Sequence, residues 1–313
     1  MKKIAFLFPG QGSQTVGMGF DLYQEFDFVR EIFEMTDEIA GANISRLCFK
    51  GPIEDLTQTV TLQPAMTAVN LATLAAIENE RMSPNVSAGH SLGEYSALCA
   101  AGITSREDTI RLVIKRGELM HREASRLQGA MHALVGLSME KVQRLVQKVQ
   151  AEGPVSVANH NTELQIVITG APGPVEKVSA LAKEQGAKSI PLRVSGAWHS
   201  ELMKDAEADF REFLNTIPFD PPAGAVVHNV SADTASEPDE IKAIMAKQLC
   251  SPVRWYDSMR KLEADGVTVF AEIGPGRVLT GLLKKILPQD FSGKILNVND
   301  LKTFETFLKA VAG

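Results

Sequence analysis

Gly89-His90-Ser91-Leu92-Gly93 is the stretch from which the rest of the chain is read. Val86-Ser87-Ala88 leads into it after Pro84 has blocked helix, and Glu94–Ala101 beyond it has helical composition that Gly102 stops. Gly-x-Ser-x-Gly at a strand-to-helix turn is a nucleophile elbow. The glycines remove side chains that would clash in so sharp a turn. The hydroxyl of Ser91 is left exposed beside a helix N-terminus, where free N–H groups stabilise developing negative charge. The same five residues can arise in any Gly-rich loop; the strand–turn–helix setting makes Ser91 a candidate nucleophile.

Upstream, Ile4–Phe8 is a continuous apolar run closed by Pro9-Gly10, the pattern of a buried parallel strand. The polar loop Gln11-Gly12-Ser13-Gln14 follows. A dinucleotide fingerprint would need glycine at position 15, where Thr15 stands, and no Walker loop is present. What the glycines free is backbone N–H at the C-terminal end of a strand, where open α/β sheets bind ligands. Residues 21–40 and 64–80 carry helical periodicity. Downstream, Ser105 with Asp108 opens the next helix in the manner of a capping box. On that helix Leu112, Val113, Arg116 and Met120 share one face, so a guanidinium lies on the stripe that should face the interior. A buried arginine needs an anionic partner and its fork suits a carboxylate; the alternatives are an outward snorkel or an internal Glu.

From Gly129 the pattern changes. Strand 131–136, helix 138–151, strands 155–160 and 165–170, helix 175–185 and strand 188–194 follow in order. This βαββαβ order is that of a ferredoxin-like split βαβ unit. The larger α/β pattern then resumes: strand 225–230, helices 238–249 and 253–264, strand 267–273, helix 278–287, strand 295–298 and a last helix from about 301 to 311. The fold class expected is therefore α/β, with a parallel-sheet large subdomain over 1–126 and 196–313 and a small inserted subdomain over 127–195. At the exit of the insertion, Trp198-His199-Ser200 lies at a strand-to-helix junction. Of six histidines, His90 lies inside the elbow, His121 is expected at a helix end, and His132 and His160 fall in the insertion. His199 and His228 are left as candidate bases.

The 313 residues suffice for a large core, and 44% hydrophobic with 22% charged residues is ordinary globular composition. A net charge of -6 argues against a nucleic-acid partner. Cys48, Cys99 and Cys250 are scattered, with no Cys-x-x-Cys or His-Glu-x-x-His spacing, so neither a disulfide frame nor a metal site is indicated. The apolar run after Met1-Lys2-Lys3 is too short for a signal core or a membrane span. A cytoplasmic chain without a membrane partner is expected.

Taken together the sequence resembles the malonyl-CoA:acyl carrier protein transacylases of type II fatty acid synthesis, over essentially its whole length. The resemblance rests on Phe8-Pro9-Gly10-Gln11-Gly12-Ser13-Gln14, on Gly89–Leu98, on Lys115-Arg116-Gly117-Glu118-Leu119-Met120 and on His199 before a helix. Gln248-Leu249 with Pro252-Val253, and Glu272-Ile273-Gly274-Pro275-Gly276, add to it. It implies an α/β-hydrolase-like large subdomain with a ferredoxin-like insertion. It implies Ser91 as nucleophile, His199 as base and acid, and backbone N–H groups of Gln11 and Leu92 as oxyanion hole. Gln248 would orient the histidine through its main-chain carbonyl, and Arg116 would clamp the free carboxylate of malonyl. No cofactor is implied; the CoA thioester and the carrier's phosphopantetheine are substrates. Trp198 stands where relatives often carry Phe, and its bulk is expected to limit substituents on the malonyl α-carbon. His160-Asn161-Thr162-Glu163-Leu164-Gln165 stands where relatives more often have a Ser-Pro-Gly-like turn before Gln, a turn expected to border the pocket, and His228 stands where Asn is frequent. Lys284 and Lys285 are the expected docking lysines for the acidic carrier protein, and a monomer is expected. A discrete polyketide-synthase acyltransferase and a serine thioesterase or hydrolase are the competing readings.

Overall fold

The computed structural model describes residues 2–312. The described residues form, in chain order, the strands β1 (Ile4–Phe8), β2 (Val86–Gly89), β3 (Ala130–Val135), β4 (Val155–Thr162), β5 (Gln165–Gly170), β6 (Lys188–Pro191), β7 (Ala225–Val227), β8 (Val269–Ile273) and β9 (Lys294–Val298). Five of them make one sheet in the order β7-β2-β1-β8-β9, every neighbouring pair parallel. The first strand is central and the chain winds outward on both sides, as in open doubly wound sheets. Strand β1 is the unbroken apolar run that a strand covered on both faces requires, and residues 5–8 are wholly buried. All five strands point the same way, so the segments after β1, β2, β7 and β8 emerge along one edge. Those segments are Gly10-Gln11, His90-Ser91, His228-Asn229 and Gly274-Pro275-Gly276.

The other four strands make an antiparallel sheet in the order β4-β5-β3-β6. Helices Met139–Val149 and Pro172–Glu184 pack on it over a separate apolar core that includes Leu134, Leu145, Ile166, Ile168 and Val178. The two sheets are stitched at Val253, which donates to the Ala158 carbonyl at 2.8 Å and accepts from the His160 amide at 2.9 Å. This corrects the helix expected from 253: it starts at Trp255, because Val253 is spent on the second sheet.

Other boundaries moved for equally local reasons. Helix Thr59–Asn79 begins five residues before Pro64 and carries it inside. A proline there costs roughly 3 kcal/mol, which the burial of every residue from Leu62 to Ile77 outweighs. By length and hydropathy this helix could cross a membrane, but 89% of that window is buried inside the protein; it is the core helix behind the sheet. Strand β6 ends at Pro191 rather than 194, since proline has no N–H to continue a ladder. Residues 192–199 instead become a wall of the site. Helix Arg106–Arg126 runs five residues past His121, which is therefore not a helix end. Its start is capped as expected, Ser105 Oγ accepting from the Asp108 amide at 3.0 Å.

Candidate active site

The elbow is built from close backbone packing. A Cβ on Gly89 would lie 2.0 Å from the Gly93 carbonyl carbon, and one on Gly93 would lie 2.0 Å from the Phe8 carbonyl oxygen. No side chain fits either place, so β1, β2 and the helix Gly93–Ala100 can approach only through glycine. Ser91 itself has φ 51°, in the left-handed region, a conformation that costs a non-glycine residue on the order of 1–3 kcal/mol and recurs at functional sites. His199 has φ 60°, so both residues are held in uncommon backbone states by their surroundings.

Ser91 Oγ lies 2.7 Å from His199 Nε2. On the other side of the ring, Nδ1 faces two carbonyl oxygens, those of Gln248 at 2.9 Å and Ser251 at 3.1 Å. Both are acceptors only, so Nδ1 carries the proton, and Nε2 presents its lone pair to the serine. Burial, then the nearby Arg116 charge, pull the His199 pKa down to about 3, against the opposing pull of the Gln248 carbonyl. The imidazole is neutral, so its Nε2 lone pair is available to the serine proton 2.7 Å away. His228, the rival base, is fully buried with Nδ1 donating to Glu94 at 2.9 Å. His90 faces the second sheet instead, its Nε2 2.8 Å from Asn161 Oδ1.

Arg116 is 2% exposed. Its guanidinium donates to neutral oxygens: Gln63 Oε1 at 2.9 Å, Gln248 Oε1 at 3.1 Å and Ser91 Oγ at 3.1 Å. It also lies over the Tyr95 ring, 5.5 Å from the centroid, and its Nε has no partner. Burial pushes against its charge, while Tyr95 and Glu94 favour it. The snorkelling alternative is therefore wrong, and so is direct pairing with an internal Glu. A buried cation 3.1 Å from the Ser91 hydroxyl, with only neutral partners and a spare donor, has the chemistry to receive an anion.

Gln11, Gln63, His90, Ser91, Leu92, Arg116, Met120, Met131, Asn159, Leu192, Val194, Trp198 and His199 enclose a cavity of about 100 Å³. Seven of the nine residues singled out by sequence thus meet at one place: Ser91, His199, Gln11, Leu92, Arg116 and Trp198 on the wall, and Gln248 behind it. Gly10 allows the first loop to close on the elbow, since an added Cβ would lie 2.5 Å from the His90 carbonyl oxygen and 3.5 Å from the Leu92 nitrogen. Lys284 and Lys285 are exposed in the last turn of helix Val278–Ile286 and do not line the cavity. That helix runs back from the site edge, so the pair sits roughly 10 Å down it. Among the described residues no group of three or more His, Cys, Asp or Glu is placed to hold a metal ion.

Four polar residues of the site were given no role by the sequence reading, although Asn161 falls in the stretch expected to border the pocket. Asn229 clips the elbow, accepting from the Ser91 amide at 2.7 Å and donating to the Gly89 carbonyl at 2.6 Å. Gln63 and Asn161 hold Arg116 and His90 as described, and Glu94 lies behind Gln248, accepting from its Nε2 at 2.6 Å. Their only sequence signal is a polar residue within an apolar or buried element, which does not name a partner.

The acyl transferase domain family matches residues 5–305. The malonyl CoA-acyl carrier protein transacylase of Bacillus subtilis is 45% identical over 313 residues, covering 99% of this chain and 98% of that protein. An acyl carrier protein S-malonyltransferase structure from Vibrio cholerae superposes with a TM-score of 0.93 at 38% identity, over 98% of this chain and 100% of that one. A malonyl-transacylase solved in complex with its type II polyketide synthase acyl-carrier protein gives 0.94 at 37% identity, over 99% of this chain and 100% of that one. The chain belongs to the acyl transferase domain family.

Proposed function

We propose that the chain is a malonyl-CoA:acyl carrier protein transacylase working through a malonyl-Ser91 ester. Ser91 Oγ attacks the thioester carbonyl and passes its proton to His199 Nε2. The tetrahedral oxyanion is held by the backbone N–H groups of Gln11 and Leu92. The C–S bond then breaks, and the CoA sulfur leaves with the proton from His199. In the second half the carrier's phosphopantetheine thiol gives its proton to His199 and attacks the ester, and Ser91 leaves with that proton restored. Throughout, Arg116 holds the malonyl carboxylate, and the Gln248 main-chain carbonyl holds the ring of His199. No cofactor takes part.

The observation that carries this reading is the buried Arg116 guanidinium, partnered by neutral groups 3.1 Å from the nucleophile. An acetyl group would leave that charge unpaired, so the site selects a carboxylated acyl group. A plain serine hydrolase has no use for it. The elbow, the small cavity and the relatives' names support the same activity. Both fatty acid and polyketide carriers fit, since one structural neighbour serves a polyketide carrier.

The finer parts of the reading follow. The large unit spans 1–126 and 196–313 and the inserted one 127–195. The chain acts as a monomer in the cytoplasm, where its three unpaired cysteines remain reduced. Lys284 and Lys285 contact the acidic carrier away from the cavity, so replacing both by alanine raises the KM for carrier protein and leaves that for malonyl-CoA unchanged. The deciding experiment follows radiolabelled malonyl from CoA, with and without phosphopantetheinylated carrier protein. Transfer to the carrier much faster than release of free malonate is the expected result. Rapid malonate release with little transfer would make the chain a thioesterase.

A further inference from the structure

The carboxylate of Glu94 is fully buried one layer behind the site. Its Oε1 accepts from His228 Nδ1 at 2.9 Å and from the Asn229 amide at 3.2 Å, and its Oε2 accepts from Gln248 Nε2 at 2.6 Å. The Gln248 amide therefore has acceptors on one side, Glu94 Oε2 and the Ser91 carbonyl at 3.0 Å. On the other side it meets a pure donor, Arg116, at 3.1 Å. Only one of the two amide orientations satisfies both sides. A carboxylate and a guanidinium thus stand on either side of one neutral amide, and neither touches the other directly.

We propose that Glu94 is a positioning residue for acyl selection: through Gln248 it fixes the orientation of the Arg116 guanidinium and supplies the buried negative charge that balances it. The inference rests on the malonyl reading of Arg116. A carboxylate touching Arg116 directly would occupy the clamp and compete with malonyl. Set one amide away, it holds the guanidinium without filling the place of the substrate. The elbow helix explains how the group gets there: Glu94 follows Gly93, whose close contact with the Phe8 carbonyl presses the first turn of that helix against the sheet edge. Asn229 joins the same carboxylate to the elbow, since its amide donates to Glu94 while its side chain holds the Ser91 amide.

Glu94→Gln removes the charge and turns one acceptor into a donor. The Gln248 amide then has a reason to flip and set its NH2 against Arg116. The measurement is the rate of Ser91 acylation by malonyl-CoA and by acetyl-CoA, read by intact mass at subsaturating donor. The malonyl-to-acetyl ratio is expected to fall about tenfold or more, the size of a lost hydrogen bond to a charged group. Glu94→Asp, which keeps the charge, recovers part of the ratio. If Glu94→Gln does not fold, Gln248→Leu cuts the same link while keeping the main-chain carbonyl on His199, and the same fall is expected. Equal loss with both donors, or no loss, would mean that Glu94 only supports the elbow and would overturn the proposal. A wild-type enzyme without malonyl preference would instead overturn the proposed function.

Discussion

The edge of the parallel sheet and the inserted antiparallel sheet both line the cavity, and they contribute different things to it. At the sheet edge, glycines sit where a single Cβ would strike backbone 2.0 Å away, and Ser91 is held at a left-handed φ. In the inserted unit the comparable contact, a Cβ on Gly170 2.2 Å from the Pro154 carbonyl oxygen, does not line the cavity, Gly173 has nothing within 4 Å of an added Cβ, and the strands contribute wall residues such as Met131 and Asn159. The candidate nucleophile sits beside the tightest backbone contacts of the sheet edge. The inserted unit supplies pocket wall opposite it, the division expected where a site is held on a rigid scaffold.

That contrast can be broken most forcefully at Gly93. Gly93→Ala drives a Cβ into the Phe8 carbonyl and is expected to cost about 4 kcal/mol or more, with loss of Ser91 acylation; a folded, active variant in a denaturant titration with a parallel activity assay would refute the packing argument. Next in size, His199→Gln should lower the acylation rate by roughly 10³-fold or more. It should also change how stability depends on pH. The His199 pKa is near 3 in the folded chain, against the ordinary 6.5. Between those values the unfolded chain takes up the proton and the folded chain does not. The histidine's contribution is thus complete above pH 6.5 and is lost as pH falls toward 3. Thermal unfolding midpoints should decline less steeply across that window in His199→Gln than in wild type; parallel curves would contradict a neutral buried imidazole.

On the pocket wall a smaller change is expected. The Trp198 ring is 4% exposed and lies so close to residue 196 that an added Cβ there would come within 2.6 Å of it. Trp198→Ser opens that space, and the preference for malonyl- over methylmalonyl-CoA should drop several-fold in a competition assay. An unchanged ratio would make Trp198 mere packing. Least of all, Gly173→Ala lies in the first turn of an exposed helix and should raise stability by up to about 1 kcal/mol with activity unaltered. Destabilisation there would blur the distinction between the two halves.

The sequence made the elbow, the order of the inserted strands and the misplaced Arg116 legible because each depends on local spacing. Strand β5 fell where expected, at Gln165–Gly170. Val253 and the start of helix Thr59–Asn79 were not legible, since tertiary pairing or burial overrode the local preference at each, whereas the stop at Pro191 was written in the sequence and passed over. The polar shell behind the site was hidden for a different reason. Asn229 is 138 positions from Ser91, and Gln248 is 154 from Glu94. Nothing in a residue's neighbours announces a hydrogen bond made across that distance. Only the resemblance chose His199 over His228, and the geometry gives the reason: one ring reaches the serine, and the other is tied to Glu94.

The most direct test of a carboxylate-selecting serine acyltransferase is intact mass after brief exposure to malonyl-CoA or acetyl-CoA, in wild type and Arg116→Ala. The account predicts a malonyl adduct on Ser91 in wild type, little acetyl adduct, and loss of the malonyl adduct in the arginine variant. Equal labelling of wild type by both donors, with no change in Arg116→Ala, would contradict it.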